Sequence, residues 1–386
     1  MDRRKIRMGM IGGGKDAFIG AVHRMAAALD GEIELVCGAF SSSAEKSIAS
    51  GKALFLSEDR VYRNFEEMIQ QEKELPNGEK MDFVSIVTPN FLHYKPAMMA
   101  LENGFHVVCD KPLAMSLQEA KDIAGRVKET GLLFCLTHNY TGYPMVKEAR
   151  HLVKTGKLGQ IRKVVVQYPQ GWLATPLEAS GNKQADWRTD PAKAGISGCM
   201  GDIGTHAENL AEFITGLKIK EMCADLTAFV EGRPIDDDGN VLLRFNNGAK
   251  GILHASQISV GEENNLKINI YGEKGGLEWS QMEPNTLLVK WPDQPVDIYR
   301  TGGGYLSSSS LAHTRLPSGH PEGYLEAFGN IYRNFAKTLR SVLAGETPAP
   351  EFMDFPTAED GVRGMAFIET VVASSQSQDK WMKMKE

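Results

Sequence analysis

Through the first third of the chain, short apolar runs and longer amphipathic stretches take turns. The runs Ile6 to Ile11, Ile33 to Ala39, Phe83 to Val87, Phe105 to Cys109 and Leu132 to Leu136 are apolar at nearly every position, the pattern of strands buried on both faces. Between them, Phe18 to Leu29, Asn64 to Lys73, Tyr94 to Glu102 and Ser116 to Glu129 carry apolar residues at helical spacing. Gly31, Gly104 and Gly131 stand where three of these helices should stop. Alternating strands and helices predict βαβ units and a parallel sheet.

Beyond His138 the pattern changes. Tyr143 to Thr155 reads as an amphipathic helix ending at Gly156. Strand-like runs follow at Val164 to Tyr168, Glu221 to Val230, Asn240 to Phe245, Gly251 to Ser256 and Leu266 to Tyr271. Asn246-Asn247-Gly248 separates two of them at hairpin distance, so this sheet is expected to be mostly antiparallel. Helices at about Gly323 to Leu343 and Thr357 to Ala373 close the chain. Gly302-Gly303-Gly304 with Ser307 to Ser310 reads as a flexible loop, a lid or a partner-contacting segment. The expected division is residues 1–137 and 138–386, with the last helix packing back on the first domain.

Composition narrows the class rather than the fold. At 386 residues a single core is unexpected, and a net charge of −6 without a block of lysine or arginine gives no reason to expect nucleic acid or an anionic membrane. No apolar stretch spans a bilayer. The N-terminus, Met1-Asp2-Arg3-Arg4-Lys5, leads into a run ending in glycines, which reads as a first strand and not a signal peptide. Five cysteines without a CxxC pair are expected as buried thiols in a reducing compartment, with the cytoplasm the default location.

The chemistry begins at Gly12-Gly13-Gly14-Lys15-Asp16-Ala17, which fits GxGxxA between a strand and a helix. Glycines there let the backbone approach a pyrophosphate, and the helix start offers it unpaired N–H groups. The second strand ends in Phe40-Ser41-Ser42-Ser43, without the acid that commonly holds an adenosine ribose. Serine hydroxyls suit a ribose, and only Lys46 is near enough in sequence to approach a 2′-phosphate, so NAD is expected, with NADP as the alternative. Thr88-Pro89-Asn90-Phe91-Leu92-His93, Asp110-Lys111-Pro112 and Thr137-His138-Asn139-Tyr140 follow three further strands. Pro112 keeps Lys111 out of helical conformation, which aims the lysine at the ligand edge of the sheet.

In the second half, Ile203, Ala207, Leu210, Ala211 and Ile214 fall on one face of a helix and should be buried. Asp202, His206 and Asn209 fall on another. A carboxylate one turn before a histidine suits proton transfer, although an aspartate that merely caps the helix fits as well. No second histidine or cysteine lies at metal-ligand spacing. Gln184 to Pro191 reads as a polar loop in which Trp187 adjoins Arg188, and Trp172 lies upstream. Either tryptophan suits the face of a sugar ring or an interdomain core.

Taken together, the glycine turn, TPNxxH at Thr88 to His93, Asp110-Lys111-Pro112 and Asp202-x-x-x-His206 resemble the glucose–fructose oxidoreductase / inositol dehydrogenase (Gfo/Idh/MocA) family over essentially the whole chain. The family's Glu-Lys-Pro stands here as Asp-Lys-Pro. The resemblance implies an α/β chain: a Rossmann dinucleotide-binding domain, then an α+β domain with a large, mostly antiparallel open sheet. It implies Lys111, Asp202 and His206 as the catalytic group. Gly12, Gly14, Ala17, Ser41, Ser42, Thr88, Asn90, His93, Asp110, Lys111, Asn139, Trp187 and Arg188 would lie along the cofactor.

Gly12 to Arg24 and His320-Pro321-Glu322-Gly323-Tyr324 are similar to the branch of levoglucosan dehydrogenase and glucoside 3-dehydrogenases. That makes His320 and Glu322 candidate sugar contacts, beside Lys111, Tyr140, Trp172, Asp202 and His206. The implied activity is NAD(P)-dependent oxidation of a secondary hydroxyl on a sugar, at C3 of a glucoside or anhydrosugar. An inositol dehydrogenase, a reductase of an anhydro-keto sugar, or a non-catalytic sensor are the alternatives. A homo-oligomer, dimer or tetramer, is implied by the same resemblance. His23 reads as structural as readily as functional.

Overall fold

The computed structural model describes residues 4–15 and 17–386; the first three residues of the basic N-terminus, and Asp16 of the glycine turn, lie outside the described residues. The chain forms two compact units, one of residues up to 139 with 328–362, the other of 140–327 with 363–386.

The first unit holds five strands: β1 (Ile6–Gly12), β2 (Ile33–Ala39), β3 (Phe83–Val87), β4 (His106–Cys109) and β5 (Phe134–Leu136). They order as β2-β1-β3-β4-β5, all parallel, with Met10 opposite Ser85 and Ile86 opposite Cys109. Strands β3, β4 and β5 are buried at every residue, which is why they read as unbroken apolar runs. The chain reverses its direction of winding between β2 and β3, on either side of β1. The crevice at the carboxyl ends of β1 and β3 is therefore where an open α/β sheet takes its ligand.

Helix ends follow local chemistry. Ser43, Asn64 and Ser116 each cap a helix by accepting a backbone N–H, and Glu119 reaches back to the amide of Met115, the residue before the Ser116 cap. The helix Leu117–Thr130 ends at Gly131 with φ +67°. Residues 328–362 belong to this unit although they come after the second in sequence. The helix Tyr324–Leu343 presents Phe328, Tyr332 and Phe335 on one side; Phe335 meets Phe83 with ring centroids 5.1 Å apart, and Arg340 pairs with Glu32 at 2.8 Å.

Buried histidines make this unit acid-sensitive, His93 among them, its pKa lowered by burial. Burial holds His23 and His106 neutral, with pKa values near 4; His138, further discouraged by the Lys111 charge, falls to about 3. In the unfolded chain each titrates near its ordinary value of 6.5, so as pH falls the unfolded state takes up protons first. Stability is complete above that value and drains away toward the folded pKa. The expected loss between about pH 7 and about pH 5 is on the order of 2 kcal/mol per histidine. Urea unfolding at the two pH values checks it: the midpoint should fall, and should fall less once His106 is replaced by glutamine.

The second unit holds β6 (Ile161–Pro169), β7 (Ile219–Thr227), β8 (Asp238–Phe245), β9 (Lys250–Ser256), β10 (Lys267–Gly272), β11 (Gly276–Ser280), β12 (Thr286–Lys290), β13 (Asp297–Arg300) and β14 (Trp381–Lys383). Their order is β13-β12-β11-β10-β6-β9-β8-β7-β14, antiparallel throughout except that β6 and β9 run parallel. Alternation is clean: Val241, Leu243 and Phe245 face inward while Leu242 is half exposed. The hairpin at Asn246 to Gly248 is present, with Gly248 at φ +93° and its N–H on Phe245 O.

Two expectations are corrected. The glycine- and serine-rich stretch is not a loose loop: Ser307 caps the short helix Ser308–Ala312, and its N–H and hydroxyl both donate to the buried Glu148 carboxylate. The stretch around Trp187 is not a loop either. Asn182 accepts from the Gln184 and Ala185 amides and starts the helix Lys183–Thr189, and Asp190 caps the turn at Pro191.

Candidate active site

The glycine turn after β1 is built for close approach. Gly12 and Gly13 have φ of +80° and +69°, and a Cβ on Gly14 would lie 2.8 Å from Phe40 O. The helix Phe18–Ala28 has Ala17 at its N-cap and no side-chain cap hydrogen bond among the described residues, a start that suits an anion. Ala17, placed third in the fingerprint, is not the packing glycine's substitute. That role falls to Gly20: a Cβ on Gly13 would lie 2.8 Å from Gly20 Cα. At the end of β2, Ser41 accepts the Ser43 amide and Ser42 is exposed. Asn139 is buried with its amide nitrogen unsatisfied among the described residues, a donor suited to a ligand. The glycine cradle, the helix start and this amide together fit a dinucleotide.

Lys111 follows β4, half-buried and joined to Pro112 by a cis peptide bond. Asp110 Oδ1 accepts the Lys111 N–H at 2.9 Å and the Thr137 hydroxyl at 2.8 Å, so the threonine holds the aspartate and the aspartate holds the lysine's amide. His93 differs from expectation. It is fully buried, with Nδ1 2.8 Å from Pro112 O and Nε2 2.8 Å from Thr88 O. Each nitrogen lies within hydrogen-bond distance of a backbone carbonyl, and the single N–H of a neutral ring serves one of them, so His93 ties the Thr88 loop to the Lys111 turn. Asn90 is buried in the short helical turn that leads to it.

The second unit gathers its own polar cluster. The segment of Asp202 and His206 is not one α-helix: Met200–Gly204 is a π-helical turn leading into the α-helix Thr205–Thr215. Ile203, Ala207, Leu210, Ala211 and Ile214 are buried as expected, yet His206 and Asn209 are nearly as buried on the other face. Asp202 Oδ2 accepts Arg188 Nε and Gln257 Nε2, each at 2.9 Å. The Arg188 guanidinium lies 4.1 Å from the Trp187 ring and 5.7 Å from the Trp172 ring. Both tryptophans are half-buried, each with a face against this cation.

Beside His206, the Tyr140 ring stands edge-on at 4.9 Å, and the Tyr140 and Tyr168 hydroxyls hydrogen-bond each other. Asn264 donates to Tyr140 Oη at 3.1 Å and accepts from Tyr168 at 2.7 Å, while Gln170 joins Asn264 to Trp172 Nε1. Burial pushes both phenols above their ordinary pKa, so they remain neutral donors at physiological pH. Tyr168, Gln170, Gln257 and Asn264 went unread in the sequence. The available signal was polar residues bunched at the ends of otherwise alternating strands.

The last candidates part ways. Glu322 is buried, and one of its oxygens holds the Arg315 and Leu316 amides at 2.5 and 2.7 Å. That oxygen braces the loop, while Oε2 has no hydrogen-bond partner among the described residues. His320 is exposed, with Nδ1 3.1 Å from Pro317 O. Among the described residues no group of histidine, cysteine or acidic side chains could hold a metal ion.

A glycine-turned parallel sheet carrying a lysine at a strand end, joined to an open-sheet unit rich in hydrogen-bonding and aromatic side chains, defines a nucleotide-dependent oxidoreductase. Residues 6–138 match the oxidoreductase family model with an NAD-binding Rossmann fold, and residues 146–278 match the GFO/IDH/MocA C-terminal domain. The chain belongs to the GFO/IDH/MocA family of oxidoreductases.

An oxidoreductase from Sinorhizobium meliloti is 44% identical, with a TM-score of 0.89, over 98% of this chain and 100% of that one. An inositol dehydrogenase homolog from Azotobacter vinelandii, solved with NAD+, is 33% identical with a TM-score of 0.94, over 98% and 97%. Levoglucosan dehydrogenase of Pseudarthrobacter phenanthrenivorans is 26% identical over 98% of each chain.

Proposed function

We propose that this protein oxidises a secondary hydroxyl of a pyranoside or related anhydrosugar, at C3, with NAD as the acceptor. The observation that carries the reading is Lys111, whose backbone Asp110 fixes at the end of β4, in a unit that also offers a glycine cradle and the unsatisfied Asn139 amide. NAD supplies the hydride acceptor when bound along that cradle. The Nζ of Lys111 donates a hydrogen bond to the substrate oxygen and stabilises negative charge developing on it. His206 accepts the hydroxyl proton as the carbon loses hydride.

Asp202 is held by Arg188 and Gln257 one turn before His206. Trp172, Tyr140 and the Gln170–Asn264 pair line up donors, acceptors and aromatic faces of the kind a polyol uses. An inositol is the second substrate reading, favoured by the likeness to the inositol dehydrogenase homolog. We also place the protein in the cytoplasm, in keeping with its five free thiols, and as a homo-oligomer, in keeping with the family resemblance.

The test is purified protein with NAD or NADP and a panel of glucosides, anhydrosugars, inositols and simple hexoses, read by nicotinamide absorbance. Reduction of NAD by a glucoside or anhydrosugar is the expected result. Reduction by inositols alone replaces the substrate. Silence with every sugar, with NADH bound, contradicts oxidation of this class.

A further inference from the structure

We infer that His23 is a positioning residue for Lys111, acting through Asp110. It carries its proton on Nε2 and directs that N–H at the Asp110 oxygen left over from the lysine clamp. The inference rests on the role proposed for Lys111.

The geometry runs as a chain through the first unit. Asp110 Oδ1 is taken by the Lys111 amide and the Thr137 hydroxyl, and Asp110 Oδ2 lies 3.9 Å from His23 Nε2. His23 is wholly buried in the helix Phe18–Ala28, and its Nε2 has no hydrogen-bond partner among the described residues. Its Nδ1 lies 2.7 Å from Tyr332 Oη, which lies 2.8 Å from Ser85 Oγ on β3. Phe328 packs edge-on against the ring with centroids 4.7 Å apart.

The tautomer follows from what each nitrogen faces. A bare Nε2 lone pair pointed at a carboxylate would be repelled, whereas an Nε2–H is attracted to it. Nδ1 is then the acceptor, Tyr332 donates to it, and Ser85 donates to Tyr332. Every hydrogen in the chain has one consistent direction, ending at Asp110. At 3.9 Å the last pair stands outside hydrogen-bond range, and a shift of the carboxylate by about 1 Å closes it.

A second charge is kept out. Burial, joined by the Arg24 and His93 charges, outweighs the pull of Asp110 toward the imidazolium, so the ring stays neutral down to about pH 4. Arg24 itself turns away, donating to Gly13 O at 2.6 Å. Once that gap closes, a buried neutral histidine limits the carboxylate's rotation without cancelling its charge.

Two substitutions separate the ring's ends. Glutamine sets its amide nitrogen near the place of Nε2; asparagine sets its amide near Nδ1. His23→Gln should keep kcat near wild type, whereas His23→Asn should lower kcat about 10- to 100-fold with the NAD KM unchanged. A merely structural histidine would lower the melting temperature in both without that split.

Nitrogen-15 spectra of histidine-labelled wild-type protein read the tautomer directly, and do so even if a variant fails to fold. Nε2–H with an unprotonated Nδ1 from about pH 5 to about pH 8 is the expected result. An Nδ1–H tautomer, or two folded variants with wild-type kcat, overturns the inference. A fully active Lys111→Ala enzyme would instead remove the role of the lysine and leave the tautomer standing.

Discussion

Replacing Lys111 with alanine lowers kcat by about three orders of magnitude and leaves NAD affinity within about twofold. The two halves of this expectation have separate causes. Affinity comes from the glycine turn and the start of the helix Phe18–Ala28, which the substitution does not touch. Turnover depends on charge developing on the substrate oxygen, which a water cannot stabilise as a fixed ammonium does. Lys111→Arg distinguishes position from charge. Its broad guanidinium cannot occupy the place of a single Nζ, so it should recover little of the loss. Steady-state kinetics beside NADH fluorescence titration check both halves. Wild-type turnover in Lys111→Ala would remove the lysine from the chemistry.

The second large effect is at Gly20, a position without any chemistry of its own. Gly20→Ala should weaken NADH binding at least tenfold and cost about 1–3 kcal/mol of stability. The added methyl would fall inside contact distance of Gly13 Cα, so the glycine turn and the helix that follows it must separate. Gly13 itself sits at φ +69° and has little freedom to yield. Gly125→Ala is the control. It lies in the helix Leu117–Thr130 with open space around a Cβ, and there alanine should be neutral or stabilise by up to about 1 kcal/mol. Thermal melts and NADH titration of the pair decide it. Equal behaviour of the two variants would mean the close packing at Gly13 has no bearing on the cofactor.

What could be read in the sequence follows from how local the physics is. Strands β3, β4 and β5 are buried at every residue, and so announced themselves as apolar runs. Ser116 with Glu119, and Gly131, are cap signals that act within a turn of their own helix. Strands β11 to β14 were not legible. They are short, β11 to β13 are set apart by Pro284, Pro292 and Pro295, and all four exist because neighbouring strands pair with them.

The polar loop around Trp187 became a helix for a reason visible only in hindsight, the Asn182 cap. The placement of residues 328–362 depends on Phe335 meeting Phe83, a contact that no local pattern encodes. The site shows the same division. Lys111, Asp202 and His206 stood out by residue type and spacing. The π-helical turn at Met200–Gly204, the bonds of Arg188 and Gln257 to Asp202, and the two carbonyls beside His93 required the folded chain.

The most direct measurement follows a label. Wild-type protein is mixed with NAD and a glucoside deuterated at its C3 carbon, and the reduced nicotinamide is examined by mass spectrometry. The mechanism predicts NADH carrying one deuterium, formed with a primary isotope effect, since the carbon–hydrogen bond breaks as Lys111 and His206 act on the hydroxyl. Unlabelled NADH would contradict C3 as the site of oxidation, and no NADH at all from a protein that binds the dinucleotide would contradict the oxidation itself.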